Sequence, residues 1–122
     1  MRDVFMNIEF DSYKQKLNEC RPGLDGLAAS LNIEGMKNEL ERLHAMQEAP
    51  GFWDDPEKSQ KIVVKTRQTE NKIERYEKMC ATWEDLMTIC EMAAEEDDDS
   101  MLDELKEGYT ALVQDMESCR LE

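Results

Sequence analysis

Residues 55–95 read DPEKSQKIVVKTRQTENKIERYEKMCATWEDLMTICEMAAE, the longest stretch of the chain with one unbroken helical pattern and neither Gly nor an internal Pro. Ile62, Thr66, Thr69, Ile73, Tyr76, Cys80, Trp83, Met87, Cys90 and Ala94 follow one another at alternating steps of four and three, the seven-residue repeat of helices packed side by side. The repeat predicts one continuous buried seam. Asp55 can accept a bond from the first free N–H groups as N-cap, and Pro56 suits the first helical position, where no N–H is needed. A helix over 56–95 would be roughly 60 Å long at 1.5 Å per residue. That exceeds what a compact domain of this size normally needs, so the sequence predicts an elongated molecule with other helices laid along this one.

Immediately upstream, Glu48-Ala49-Pro50-Gly51-Phe52-Trp53-Asp54-Asp55-Pro56 is a Pro-Gly turn, two adjacent aromatics and a helix start. The pattern predicts a hydrophobic staple: Phe52 and Trp53 precede the cap and pack across the junction, with Trp53 largely buried. Pro50, Phe52, Trp53, Asp55 and Pro56 are thus the expected structural junction. Before it, Asn32 offers an N-cap for a helix over 33–47 whose buried stripe is Ile33, Met36, Leu40, Leu43 and Met46. A first helix over 6–31 carries Phe10, Tyr13, Leu17, Cys20, Leu24, Leu27 and Leu31 at the same steps of three and four. Pro22-Gly23 interrupts it, and an internal Pro kinks or ends a helix. The seam keeps its phase across the interruption, which favours a kink over a break.

Downstream, Glu95-Glu96-Asp97-Asp98-Asp99 sets like charges against the helix dipole and predicts a turn. The run lacks the central Gly and spaced ligands of a calcium loop. Ser100, with Asp103 three residues on, is expected to cap a last helix over 100–120, whose stripe is Leu102, Leu105, Tyr109, Leu112, Met116 and Cys119. With little two-residue alternation anywhere, the chain reads as all-α: an antiparallel, coiled-coil-like bundle of about four helices around one long central helix, forming a single domain over 1–122.

Composition narrows the function classes. In 122 residues, 40% are hydrophobic and 36% charged, which suits a soluble helical chain. Apolar runs of about three residues, such as Ile62–Val64 and Met92–Ala94, are far short of a membrane span or a signal-peptide core; a cytoplasmic protein with no membrane association is expected. Cys20, Cys80, Cys90 and Cys119 form no C-x-x-C pair and fall on seam positions, as reduced core cysteines do. His44 lies in Glu41-Arg42-Leu43-His44, half of a di-iron bundle site, but no second histidine exists to complete it. No Gly-rich phosphate loop and no Ser-His-Asp or Cys-His set is present. Neither a cofactor, a metal nor an enzymatic activity is expected.

The formal net charge is −14, so the isolated domain should have little intrinsic affinity for nucleic acid or anionic membranes. Its distribution is uneven: residues 57–78 carry seven basic and four acidic residues, residues 84–122 two and fourteen. Lys58, Lys61, Lys65, Lys72 and Arg75 share one stripe of the long helix. They are candidate contacts to a ribosome or protein partner, or they answer Glu34, Glu39, Glu41 and Glu48 of the preceding helix within the molecule.

Pro50-Gly51-Phe52-Trp53-Asp54-Asp55-Pro56-Glu57-Lys58-Ser59-Gln60, preceded by Leu31-Asn32-Ile33 and a short charged helix, resembles the N-terminal helical domain of bacterial peptide chain release factor 2, of the class I release-factor family. Members carry a long first helix ending in Leu-Asp-aromatic or Leu-Asp-Leu, a Pro-x-Phe/Val-Trp-x-Asp/Asn-Pro junction, a long charged helix, an acidic turn and a further helix. The chain departs at Pro22-Gly23 and in having Asn32 where Asp is common. The resemblance implies a role in translation termination, with contacts to the ribosome in the full-length factor and to the class II release-factor GTPase. The family's catalytic Gly-Gly-Gln and stop-codon Ser-Pro-Phe triplets occur nowhere in Met1–Glu122, so the downstream catalytic and decoding domains are expected to be absent and no catalytic residue is carried over. The competing class is a free-standing acidic helical adaptor or chaperone-like coiled coil.

Overall fold

The computed structural model describes residues 4–95 and 100–121; the acidic turn expected at 96–99 lies outside them. Four helices account for nearly all of the described chain: α1 (Val4–Leu31), α2 (Ile33–Glu48), α3 (Pro56–Glu95) and α4 (Ser100–Arg120), with a 3-10 turn at Phe52–Asp54. The fold is an all-α helical bundle. Two compact units divide it, one of Met1–Leu27 with Lys78–Glu122, the other of Ala28–Glu77.

α1 runs through Pro22 without a break. It ends at Asn32, whose left-handed backbone (φ 55°) lets its N–H reach the Ala29 carbonyl at 3.1 Å while its side chain accepts from Gly35 N at 3.3 Å. Asn tolerates this conformation better than most residues, so one residue closes α1 and caps α2. A Cβ on Gly35 would lie 2.2 Å from the Asn32 amide nitrogen, which explains a glycine in the first turn of a helix. Ser100 is the first residue of α4 and not a residue flanking it.

In the first unit the core is Phe10, Leu17, Leu24 and Leu27 of α1, Met79, Leu86, Cys90 and Ala93 of α3, and Leu105, Leu112 and Cys119 of α4. Trp83 Nε1 meets the Leu17 carbonyl, and Tyr13 meets Tyr109 edge to face at 5.6 Å. Lys106 pairs with Glu9 at 3.5 Å, and a Cβ on Gly23 would come within 2.9 Å of Met116. Contacts that climb together along α1 and α4 mean that the two helices run parallel. Gly108 sits so close to Leu86 that a Cβ there would lie 2.5 Å from its Cδ2.

In the second unit α2 lies antiparallel on α3: Gln47 Nε2 donates to Thr66 Oγ1 at 2.7 Å, His44 Nε2 lies 3.1 Å from Glu70, and Lys37 lies 3.4 Å from Glu77. Ile33 and Leu43 of α2 and Ser59, Thr66 and Ile73 of α3 are buried. Thr66 satisfies its own hydroxyl by donating to the Ile62 carbonyl at 2.8 Å.

The seam expected along α3 is therefore corrected in its second half. Ser59, Ile62, Thr66, Thr69, Ile73 and Tyr76 follow the alternation, but the fully buried positions beyond them are Met79, Leu86, Cys90 and Ala93, with Cys80, Trp83 and Met87 only half-buried. A single extra step of three, from Tyr76 to Met79, shifts the stripe, as insertions of three residues do in heptad sequences. The cause is a change of packing partner: α2 in one unit, α1 and α4 in the other. Ala94 lies outside the described side chains.

Candidate functional site

The junction before α3 is built from backbone bonds that the local sequence dictates. Phe52 N donates to the Ala49 carbonyl at 3.2 Å and Asp54 N to the Gly51 carbonyl at 3.0 Å, closing the 3-10 turn over Gly51, whose φ of 79° suits glycine. Asp55 caps α3 as expected, with Oδ1 3.3 Å from Lys58 N, and Pro56 takes the first helical position. Ser59, only 1% exposed, donates to the carbonyls of Phe52 and of Asp55, the latter at 2.8 Å. Nothing in the spacing of the sequence singled out Ser59; its small size and single hydroxyl are the signal.

Trp53 corrects the staple reading. It is 64% exposed, while Phe52 is half-buried and holds its ring edge to face with Trp53 at 4.8 Å. Successive side chains of a 3-10 turn diverge by about 120° because three residues complete the turn. If Phe52 points inward, Trp53 cannot. Beside them lies a notch of about 370 Å³ lined by Met46, Phe52 and Ile62 and by Asp54, Asp55 and Lys58. Pro50 is exposed at its mouth.

Lys58, Lys61, Lys65 and Lys72 are all exposed along α3, on a stripe turned about 100° from the buried Ser59, Thr66 and Ile73 by ideal helix geometry. Arg75 is half-buried. Of the carboxylates expected to answer this stripe, Glu39 does so through Lys65 at 3.4 Å. Lys61 and Lys72 pair with no carboxylate among the described residues, and Lys58 lines the notch.

Glu39 is the most perturbed acid among the described residues. The Arg42 guanidinium grips it through two bonds of 2.9 and 2.7 Å and, with a smaller contribution from Lys65, holds its carboxyl down at about 2. Burial pushes the Cys20 and Cys90 thiols up. All four cysteines are free, with Cys90 and Cys119 buried. His44 is exposed beside Glu70, and among the described residues no cluster of His, Cys, Asp and Glu could hold a metal ion. No described helix is long and apolar enough to cross a membrane.

Known proteins match this chain over most of its length. A family model described as the PCRF domain covers residues 36–122. Peptide chain release factor 2 of Lactiplantibacillus plantarum is 25% identical over 114 residues, which cover 93% of this chain and 30% of that protein. The protein of the same name from Clostridium perfringens is 24% identical over 117 residues, 96% of this chain and 32% of that protein. The one from Streptomyces avermitilis is 29% identical over 98 residues, 80% of this chain and 27% of that protein. The chain thus spans less than a third of the length of these curated relatives. Matched over residues 36–122 of its 122, the chain belongs to the PCRF domain family.

Proposed function

We propose that the chain is the helical domain of a translation termination factor, contributing to engagement of the ribosome and of a partner factor while carrying no chemistry of its own. The observation that carries this is the match, over 93% and 96% of the chain, to proteins named peptide chain release factor 2. A match of that extent favours this reading over a free-standing adaptor. The protein works in the cytoplasm, where ribosomes are, and its partners include the class II release-factor GTPase.

Lys61 and Lys72 serve as ribosome contacts in the full factor, and their exposure along α3 supports this. With a net charge of −14, the domain alone has little affinity for nucleic acid, so the lysines act on a complex positioned by other contacts. Purified chain added to ribosomes stalled at a stop codon should release no peptide. Stop-codon-dependent release by the chain itself would refute the reading.

A further inference from the structure

In a chain whose formal net charge is −14, residues 58–73 run against the trend: Lys58, Lys61, Lys65, Arg67 and Lys72 stand against the single acid Glu70. Glu70 lies 3.1 Å from His44 of α2 and so answers that helix. By ideal helix geometry Val64, Gln68 and Asn71 lie roughly opposite the buried Ser59, Thr66 and Ile73, with Lys61 and Lys72 along one edge of this outer face and Arg67 along the other. All six outer side chains are exposed. Gln60, Val63, Val64, Arg67, Gln68 and Asn71 line an open depression of about 310 Å³ that belongs to α3 alone. No carboxylate lines it.

The chemistry of the face selects the occupant. The centre of a protein–protein interface is apolar and rich in aromatic and Met side chains, with charge pushed to the rim. Here Val63 and Val64 are the only apolar lining, and amides and a guanidinium make up the rest. Interfaces with nucleic acid are more polar and much more positive. Arg67 pairs with no carboxylate among the described residues. Guanidinium N–H groups serve phosphate oxygens, and an amide can both donate to and accept from a ribose hydroxyl. Single-stranded RNA is gripped through bases stacked on aromatic rings, whereas double-stranded RNA is met through phosphates and 2′-hydroxyls across its wide, shallow minor groove. Residues 58–73 contain no aromatic side chain.

We infer that the outer face of α3 docks on the backbone of double-helical RNA across its minor groove. Lys61 and Lys72 meet the phosphates of one strand, Arg67 meets those of the other, and Gln68 and Asn71 reach the 2′-hydroxyls between them. This rests on the ribosome reading and names what the lysines touch there. Residues 61–72 span about 17 Å of helix, room for only a few phosphates. So short a footprint agrees with the small affinity for nucleic acid expected of the domain alone.

The isotopically labelled 122-residue chain is titrated at low salt, under nuclear magnetic resonance, with four probes: a twelve-base-pair RNA duplex, the DNA duplex of the same sequence, a twelve-nucleotide oligouridylate and a twelve-residue Glu-Ser peptide. The expected result with the RNA duplex is salt-sensitive shifts at the backbone amides of residues 60–72 and at the side-chain amides of Gln68 and Asn71, with the other three binding several-fold more weakly. Arg67→Gln should weaken RNA binding and lower its logarithmic salt slope by about one, as loss of one phosphate contact does. Asn71→Leu, which leaves the charge alone, should bring the RNA duplex down toward the DNA duplex. Circular dichroism confirms that both variants keep their helices. Binding of the Glu-Ser peptide as tight as that of the RNA duplex would assign the face to an acidic protein and overturn the proposal. So would equal binding of the two duplexes, preference for oligouridylate, shifts centred outside residues 60–72, or none with any probe. Peptide release by a chimaeric factor tests the ribosome reading by itself, so the two fail separately.

Discussion

The indole N–H of Trp83 on α3 donates to the backbone carbonyl of Leu17 on α1 at 2.6 Å, five residues before Pro22. Pro22 has no N–H to offer the Asn18 carbonyl, and its ring crowds the turn before it. A side-chain donor from a neighbouring helix holds the disturbed turn in place, and the Arg21 guanidinium lies over the same indole at 4.9 Å. Trp83 thereby fastens α3 to the turn of α1 that precedes Pro22.

That relationship predicts energetic coupling. Trp83→Phe removes the donor and should cost about 0.5–1.5 kcal/mol, the net range for a single hydrogen bond. In a Pro22→Ala background the helix regains its backbone bond to the Asn18 carbonyl and should depend on the indole less, so the same change should cost less. A double-mutant cycle by urea unfolding reads the difference. Equal costs in both backgrounds would disconnect Trp83 from the proline.

The two tryptophans should differ in what their removal costs. Trp53→Ala removes a largely solvated ring and should shift stability by no more than about 1 kcal/mol. Trp83→Ala removes a half-buried ring and should cost more, though less than the roughly 3–5 kcal/mol of a fully buried aromatic. Thermal unfolding of the two variants decides it.

Ser59→Ala should be out of proportion to its size. It strips a donor from the carbonyls of Phe52 and Asp55 at a site that is 1% exposed, and should cost about 1–2 kcal/mol. Amide exchange at Phe52–Asp54 should quicken in parallel. Unchanged exchange would mean that the turn holds without it.

Glu39 gives a pH signature. Its folded carboxyl titrates at about 2, below the ordinary 4.5, so whatever its pairing with Arg42 contributes is present above about pH 4.5 and fades as pH falls toward 2. A carboxyl-carbon titration should place Glu39 lowest among the glutamates of α2. Arg42→Gln should return it toward its ordinary value.

The parts of this fold that were legible in the sequence are those set by chemistry within a few residues. Asp55-Pro56 starts α3 and Asn32 caps α2 because each cap needs only its own turn. The stripes of α1, α2 and α4 were legible because each faces one set of neighbours throughout. Trp53 was not, since whether Phe52 or Trp53 points inward depends on where α2 returns. The shift from Cys80, Met87 and Ala94 to Met79, Leu86 and Ala93 was hidden for a similar reason. Trp83 and Cys90 belong to both alternations, so the sequence reads smoothly across a change of partner.

Lys61 and Lys72, exposed on α3, carry the ribosome part of the proposal. In the full factor, Lys61→Glu with Lys72→Glu should weaken ribosome association and flatten its logarithmic salt slope by about 0.7–0.9 for each phosphate no longer neutralised. Lys65→Glu should act partly through Glu39, to which it is paired. Circular dichroism should show helix content unchanged in all three.

The most direct measurement is a domain exchange. Residues 1–122 replace the matching segment of the Clostridium perfringens release factor, and peptide release from stop-codon complexes is compared with that of the parent and of the parent lacking the segment. If the chain is the helical domain of a termination factor, the chimera should release peptide within a few-fold of the parent and clearly above the truncated form. A folded chimera that does no better than the truncated factor would contradict it.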